Sequence, residues 1–250
     1  MTYDEAGSGG AVLLLHSGVA DRRMWRPQWD ALADRFRVVR CDLRGFGDTP
    51  LPPERFSNAG DVAELLDHLG IDRAAVVGSS FGGRVALEVA ATHPGRVQRL
   101  VLLCPAYGGV EPTPTAAAFD AREDALADAG DLDGLVELNV ATWLGPEADD
   151  AARDLVRQMQ RHAFKVQIAA ESGPVQPEME EIEVEPARIG CPAVVVAGGH
   201  DMDHFQAIAA HLAEAIPEAR LVELAWAGHL PSLERPQETT DLIIEALTAG

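Results

Sequence analysis

Lysine is almost missing from this chain of 250 residues: Lys165 is the only one, so arginine supplies the rest of the 20 basic side chains. Those face 40 acidic ones, for a formal net charge of −20. A surface of that sign repels polyphosphates and anionic lipid headgroups, so neither a nucleic acid nor a membrane is expected as a partner. Cysteine is scarce as well. Cys41, Cys104 and Cys191 are odd in number and far apart, without a C-x-x-C pair or metal-ligand spacing, and each lies in or beside an apolar run. They read as small buried thiols, and no disulfide framework, metal or other cofactor is expected. No apolar run approaches the roughly 20 residues that cross a bilayer. The first residues, "MTYDEAGSGG", have neither the basic start nor the apolar stretch of a signal peptide. The expectation is a soluble cytoplasmic protein.

What is present is alternation. Strand-like runs occur at "AVLLL" (11–15), "FRVVRC" (36–41), "AAVVG" (74–78), "VQRLVLLC" (97–104), "AVVVA" (193–197) and "RLVEL" (220–224). Between most of them lie helix-length segments such as "AGDVAELLDHLG", "FGGRVALEVAATH", stopped by Pro94-Gly95, and "HFQAIAAHLAEAI", stopped by Pro217. Nearly continuous apolar strands separated by helices make an α/β fold: a mostly parallel twisted sheet with helices on both faces. The alternation fails from 111 to 185. That stretch contains three helix-like segments and no convincing strand. It holds 18 acidic and 5 basic residues, so −13 of the net −20 sits there. It reads as a helical insertion (111–185) in a core made of 1–110 and 186–250, and its charge reads first as a solvated face.

The segment "VVGSSFGGRVALEVA" (76–90) places two serines between a strand-like run and an apolar helix. Only Ser80 completes G-x-S-x-G, with Gly78 and Gly82 two residues to either side; Ser79 has Val77 and Phe81 there. A serine on a tight strand-to-helix turn needs glycine at both places because side chains would strike the adjoining elements. Two further groups follow later strands: Asp201 after "AVVVAGGH" and His229 after "RLVELAWAG". Strand ends of a parallel sheet share one edge, so the three can converge there. Asp203 competes with Asp201, as either an acid or the cap of the following helix.

Four motifs carry a resemblance to the α/β-hydrolase superfamily along nearly the whole chain: "LLLHSGVADRRMW", "CDLRGFGDT", "GSSFGG" and "AGHLPSLERPQE". Within it the chain is most similar to small bacterial serine hydrolases with a helical cap, which the insertion would form. The resemblance implies Ser80 as nucleophile, His229 as general base and then acid, and Asp201 as the orienting carboxylate. It implies an oxyanion hole made by the backbone N–H groups of Phe81 and Gly18. Asp42 and Arg44 would form a local, structural ion pair. Compared with the family, "TYDEAGSGG" resembles the end of a second strand, so the first N-terminal strand is expected to be absent.

The resemblance also narrows the chemistry. Relatives acting on haloalkanes or epoxides use an aspartate nucleophile where this chain has Ser80, and Tyr3 and Tyr107 lie outside the insertion. Met202 stands where hydroxynitrile lyases need lysine, and Phe81 where cofactor-free haloperoxidases usually have methionine. Carbon–carbon hydrolases often have tryptophan where Leu230 stands; they stay open as an alternative, as does a ligand-binding sensor with a retained triad. The expectation is hydrolysis of a small, largely apolar ester, lactone or thioester. Trp25, Phe46, Trp143, Phe164, Met202 and Leu230 are candidate pocket walls. An acidic insertion would favour neutral or weakly cationic small molecules.

Overall fold

The computed structural model describes residues 1–249. From the N-terminus run β1 (Tyr3–Ala6), β2 (Ala11–Leu15), a 3-10 turn (Arg22–Trp25) leading into α1 (Arg26–Ala33), β3 (Arg37–Cys41), β4 (Arg55–Phe56) and α2 (Asn58–His68). Then come β5 (Ala74–Ser79), α3 (Phe81–Thr92), β6 (Val97–Leu103), α4 (Pro114–Asp128), α5 (Leu132–Trp143), α6 (Asp150–Glu171) and β7 (Glu178–Met179). The chain finishes with β8 (Ala193–Gly198), α7 (Asp203–Ala215), β9 (Ala219–Leu224), α8 (Pro231–Glu234) and α9 (Pro236–Thr248).

Seven strands form one sheet in the order β1-β3-β2-β5-β6-β8-β9. All neighbours are parallel except β1, which lies antiparallel along β3 from Tyr3 opposite Cys41 to Ala6 opposite Val38. Among the described residues no strand precedes β1. Side chains alternate between two cores. Leu13, Leu15, Val39, Val76, Leu100, Leu102 and Val195 pack with α2, α3 and α7 on one face. Val12, Leu14, Val38, Val77, Val101, Leu103 and Val194 pack with α1, α9 and parts of α5 and α6 on the other. Burying one such side chain is worth about 1.5–3 kcal/mol, so a one-residue slip of a strand, which exchanges its two faces, is strongly opposed.

The stretch between β6 and β8 carries α4, α5 and α6. Each of its helices starts on a side-chain cap: Thr113 accepts from Ala116 N–H, Asp131 from Gly134 N–H and Asp149 from Ala152 N–H, at 3.3, 2.9 and 2.8 Å. One expectation is corrected here. The acidic tail "EMEEIEVEP" contains β7, which pairs in parallel with β4 in a separate two-stranded ladder, Arg55 opposite Glu178 and Phe56 opposite Met179. Two residues per strand are too few for alternation to register in a sequence.

The expected Asp42–Arg44 pair is also corrected. Asp42, fully buried, accepts from the Arg22 guanidinium and from the backbone N–H groups of Arg22 and Asp48, both at 2.8 Å. Arg44 instead faces α2 and pairs with Asp61 and Glu54 at 2.5 and 2.6 Å. Gly45 and Gly47, which follow Arg44, are both at positive φ.

Candidate active site

Ser80 sits between β5 and α3 at φ 51 and ψ −115, a region that costs a residue with a side chain about 1–3 kcal/mol. Its surroundings hold it there. Ser80 N–H donates to the Leu103 carbonyl at 3.0 Å, and its own carbonyl accepts from Arg84 N–H at 3.1 Å and Ala106 N–H at 3.0 Å. A Cβ on Gly78 would run into the carbonyl of Gly82, and one on Gly82 into the carbonyl of Leu15 in β2. A Cβ on Gly83 would stand 2.9 Å from the Pro105 Cβ. Close approach of backbone to backbone therefore explains glycines that weaken the start of a helix. Ser79 points elsewhere: it is fully buried and its Oγ has no hydrogen-bond partner.

His229 and Asp201 meet across the ends of β8 and β9. Nδ1 of His229 lies 2.8 Å from Oδ2 of Asp201, with both side chains almost wholly out of solvent. The other oxygen, Oδ1, accepts from the Met202 backbone N–H at 2.7 Å. With Nδ1 donating to a carboxylate, Nε2 is left free to take a proton. The imidazole lies against two aromatic rings that sequence reasoning assigned no such role, Trp143 at 4.7 Å and Phe205 at 4.3 Å between centroids, which also meet each other edge-to-face at 5.4 Å. Glu234 fixes the loop on either side of it, accepting from Gly228 N–H at 2.8 Å and Leu230 N–H at 3.1 Å. Burial pushes the Glu234 carboxyl above the usual range. The Cys104 thiol, raised well above its ordinary value by burial and then by Asp201, stays protonated behind the acid. Asp203 neither faces His229 nor caps a helix: it is the first residue of α7 and accepts from the Thr113 hydroxyl at 2.7 Å.

Gly18 lies beside Phe81, since a Cβ on Gly18 would stand 3.5 Å from the Phe81 Cβ. His16 shapes this loop: Nε2 accepts from Leu43 N–H at 3.0 Å, so Nδ1 carries the proton and donates to the Ser17 carbonyl at 2.8 Å. Burial lowers the His16 pKa below its ordinary 6.5, while the bond to Ser17 and nearby Asp42 and Asp21 oppose the change. The unfolded chain therefore binds this proton more readily, and stability from neutral His16 is complete above the ordinary value and lost progressively as pH falls from there through the lower folded value. The urea midpoint of wild type should exceed that of His16→Gln at about pH 7.5, and the gap should narrow by about pH 5.5. A gap that does not change with pH would contradict this assignment.

A cavity of about 240 Å³ connects these parts, lined by Ser17, Gly18, Val19, Ser80 and His229 from the sheet side. Phe119, Glu123, Asn139, Trp143, Gln160, Phe164 and Gln167 line it from α4, α5 and α6. Of the expected pocket residues, Trp143 and Phe164 are here and four are not. Trp25 and Leu230 are fully buried in the second core. Phe46 packs edge-on against His16 at 5.0 Å. Met202 contributes its backbone to Asp201 rather than a wall. The lining is mixed: beside Val19, Phe119, Trp143 and Phe164 it includes one carboxylate, Glu123, and three side-chain amides, Asn139, Gln160 and Gln167. Asn139 with Trp143, and Gln160 with Phe164 and Gln167, stand at the three- and four-residue intervals of one helix face, a spacing that in the sequence reads equally as a solvated face.

A sheet of this order carrying a glycine-flanked serine on a strained turn defines a class of enzyme. The chain belongs to the alpha/beta hydrolase fold family, which it matches over residues 10–236. It is 30% identical over 262 residues to the proposed carbamate hydrolase RutD of Caulobacter sp. (strain K31), covering 98% of this chain and 95% of that protein. Among solved structures it is similar to a thermophilic esterase from Thermogutta terrifontis, with TM-score 0.81 and 28% identity over 98% of this chain and 92% of the other. The enol-lactonase from Burkholderia xenovorans LB400 gives TM-score 0.79 and 28% identity over 99% and 96%. Among the described residues no helix is long and apolar enough to cross a membrane.

Proposed function

We propose that the protein hydrolyses small carboxylic esters or lactones through an acyl-enzyme on Ser80. The observation that carries this reading is the cavity shared by Ser80 and His229, with the imidazole held at 2.8 Å by Asp201. In this mechanism His229 Nε2 takes the Ser80 hydroxyl proton as Oγ attacks the substrate carbonyl carbon. Phe81 and Gly18 N–H groups receive the developing oxyanion, each such donor typically worth about 10²–10³ in rate. His229 returns the proton to the departing alkoxide, which leaves as the alcohol or, for a lactone, stays attached as a new hydroxyl. Water then attacks the acyl-enzyme with His229 again as base, releasing the carboxylic acid and restoring Ser80. The relatives named for ester and lactone hydrolysis support cleavage at a carbonyl bearing an oxygen leaving group.

In the same reading, α4 to α6 act as a cap over the sheet's catalytic edge, setting substrate choice while the sheet sets the chemistry. A panel of esters and lactones of graded acyl size tests both. Phe164→Ala should redistribute kcat/KM across the panel by about tenfold or more, the range expected for reshaping an apolar wall. Trp143→Ala should in addition lower kcat, because it removes one of the rings against His229. Unchanged relative kcat/KM in Phe164→Ala would mean that the cap only covers the site.

A further inference from the structure

The cap side of the cavity holds polar groups that hydrolysis does not use. Glu123, half-buried on α4, accepts from Asn139 Nδ2 at 2.6 Å, and Asn139 in turn accepts from Trp143 Nε1 at 2.7 Å. No basic side chain among the described residues forms an ion pair with Glu123. Gln160 on α6 is 4% exposed and lines the same cavity, and its Oε1 has no hydrogen-bond partner. Leaving a buried amide oxygen unpaired costs about 1–3 kcal/mol, a cost that a donor entering from the cavity would relieve. Three aromatic side chains line the same cavity, Phe119, Trp143 and Phe164, the first two edge-to-face at 4.8 Å.

A carboxylate without a basic partner, an unpaired amide oxygen and aromatic rings are complementary to one kind of group: a cation with several N–H donors. Aromatic faces attract it through their quadrupole, and the oxygens take its hydrogens. A carboxylate on the substrate would meet Glu123 as a like charge, and an alkyl group would leave Gln160 unpaired. We propose that Glu123, Gln160 and the three rings form a subsite for a primary ammonium group, so that the preferred substrates are esters or lactones carrying an amine. This rests on the esterase reading above for its kinetic arm and on the cavity alone for its binding arm.

The kinetic arm compares ethyl esters of ω-amino acids, from β-alanine to ε-aminocaproate, each with the ester in which a methyl group replaces the ammonium. At the chain length that spans from Ser80 to Glu123, wild type should favour the ammonium ester in kcat/KM by about tenfold. Glu123→Gln should reduce that preference to about twofold or less, whereas Glu137→Gln, which removes an exposed charge paired with Arg157, should keep it. The binding arm titrates wild type and Glu123→Gln with propyl- to hexylammonium ions and the matching alcohols, followed by tryptophan fluorescence and ligand-observed NMR. Tighter binding of the ammonium ion, lost in a folded Glu123→Gln, supports the subsite even if no ester is cleaved, an outcome that would sink only the esterase reading. No ammonium preference in wild type, or one that survives Glu123→Gln, overturns the subsite whatever the activity.

Discussion

Ser80→Ala is expected to lower kcat/KM for ester substrates by about 10⁴ or more, with the protein folded and its melting temperature little changed. The size follows from the chemistry: without Oγ no acyl-enzyme forms, and what remains is water attack assisted by the oxyanion donors alone. The small stability effect follows from the local structure, since the backbone bonds from Ser80 to Leu103, Arg84 and Ala106 survive the substitution. Alanine keeps the strained positive φ, so no conformational relief is expected either. Ser79→Ala, by contrast, removes a fully buried hydroxyl that has no partner, and should leave turnover intact. A Ser80→Ala enzyme retaining a tenth of wild-type activity would contradict the nucleophile assignment.

The second large effect separates two carboxylates two residues apart. Asp201→Asn presents an amide to His229 Nδ1 and favours the tautomer with its proton on Nε2, the atom that must accept from Ser80; in a Ser-His-Asp protease that change lowers kcat by about 10⁴. A comparable loss is expected here near neutral pH. Asp203→Asn disturbs only contacts with the Thr113 and Thr115 hydroxyls at the start of α4. Its cost should stay near 1 kcal/mol of stability, with kcat within a few-fold of wild type. Steady-state kinetics on both variants, with folding checked by circular dichroism, decides the matter. An active Asp201→Asn beside an inactive Asp203→Asn would reverse the assignment of the acid.

The crowded turn at Ser80 is legible in the amino-acid sequence alone. Gly78, Gly82 and Gly83 announce it, and every glycine of that motif meets a backbone or proline neighbour as crowding requires. Strand-like runs became strands because alternation between two cores needs several residues in succession, which β2, β5, β6 and β8 provide and β4 and β7 do not. Pocket walls are harder to read. Trp25, at the end of the 3-10 turn, and Leu230, just after His229, are large and apolar, yet both serve the second core, since hydrophobicity alone does not distinguish a wall from an interior. Asp42 and Arg44 are close in sequence and charge-complementary, but the partner of a buried carboxylate is chosen by which guanidinium the fold brings inward, and that is Arg22. Phe205 is hidden in the apolar face of α7, and only the tertiary arrangement sets its ring against His229. Glu123, Asn139, Gln160 and Gln167 look in the sequence like any solvated helix positions, because polar side chains carry no burial signal until neighbouring helices enclose them.

The most direct measurement of the central claim is covalent labelling of the folded wild-type chain with a fluorophosphonate, followed by intact mass and fragmentation of the peptide spanning Arg73 to Arg84. One adduct per chain is expected, on Ser80, retained in Ser79→Ala and abolished in Ser80→Ala. An adduct on Ser79, or a folded wild-type protein that takes no label, would contradict the nucleophile assignment and the acyl-enzyme route built on it.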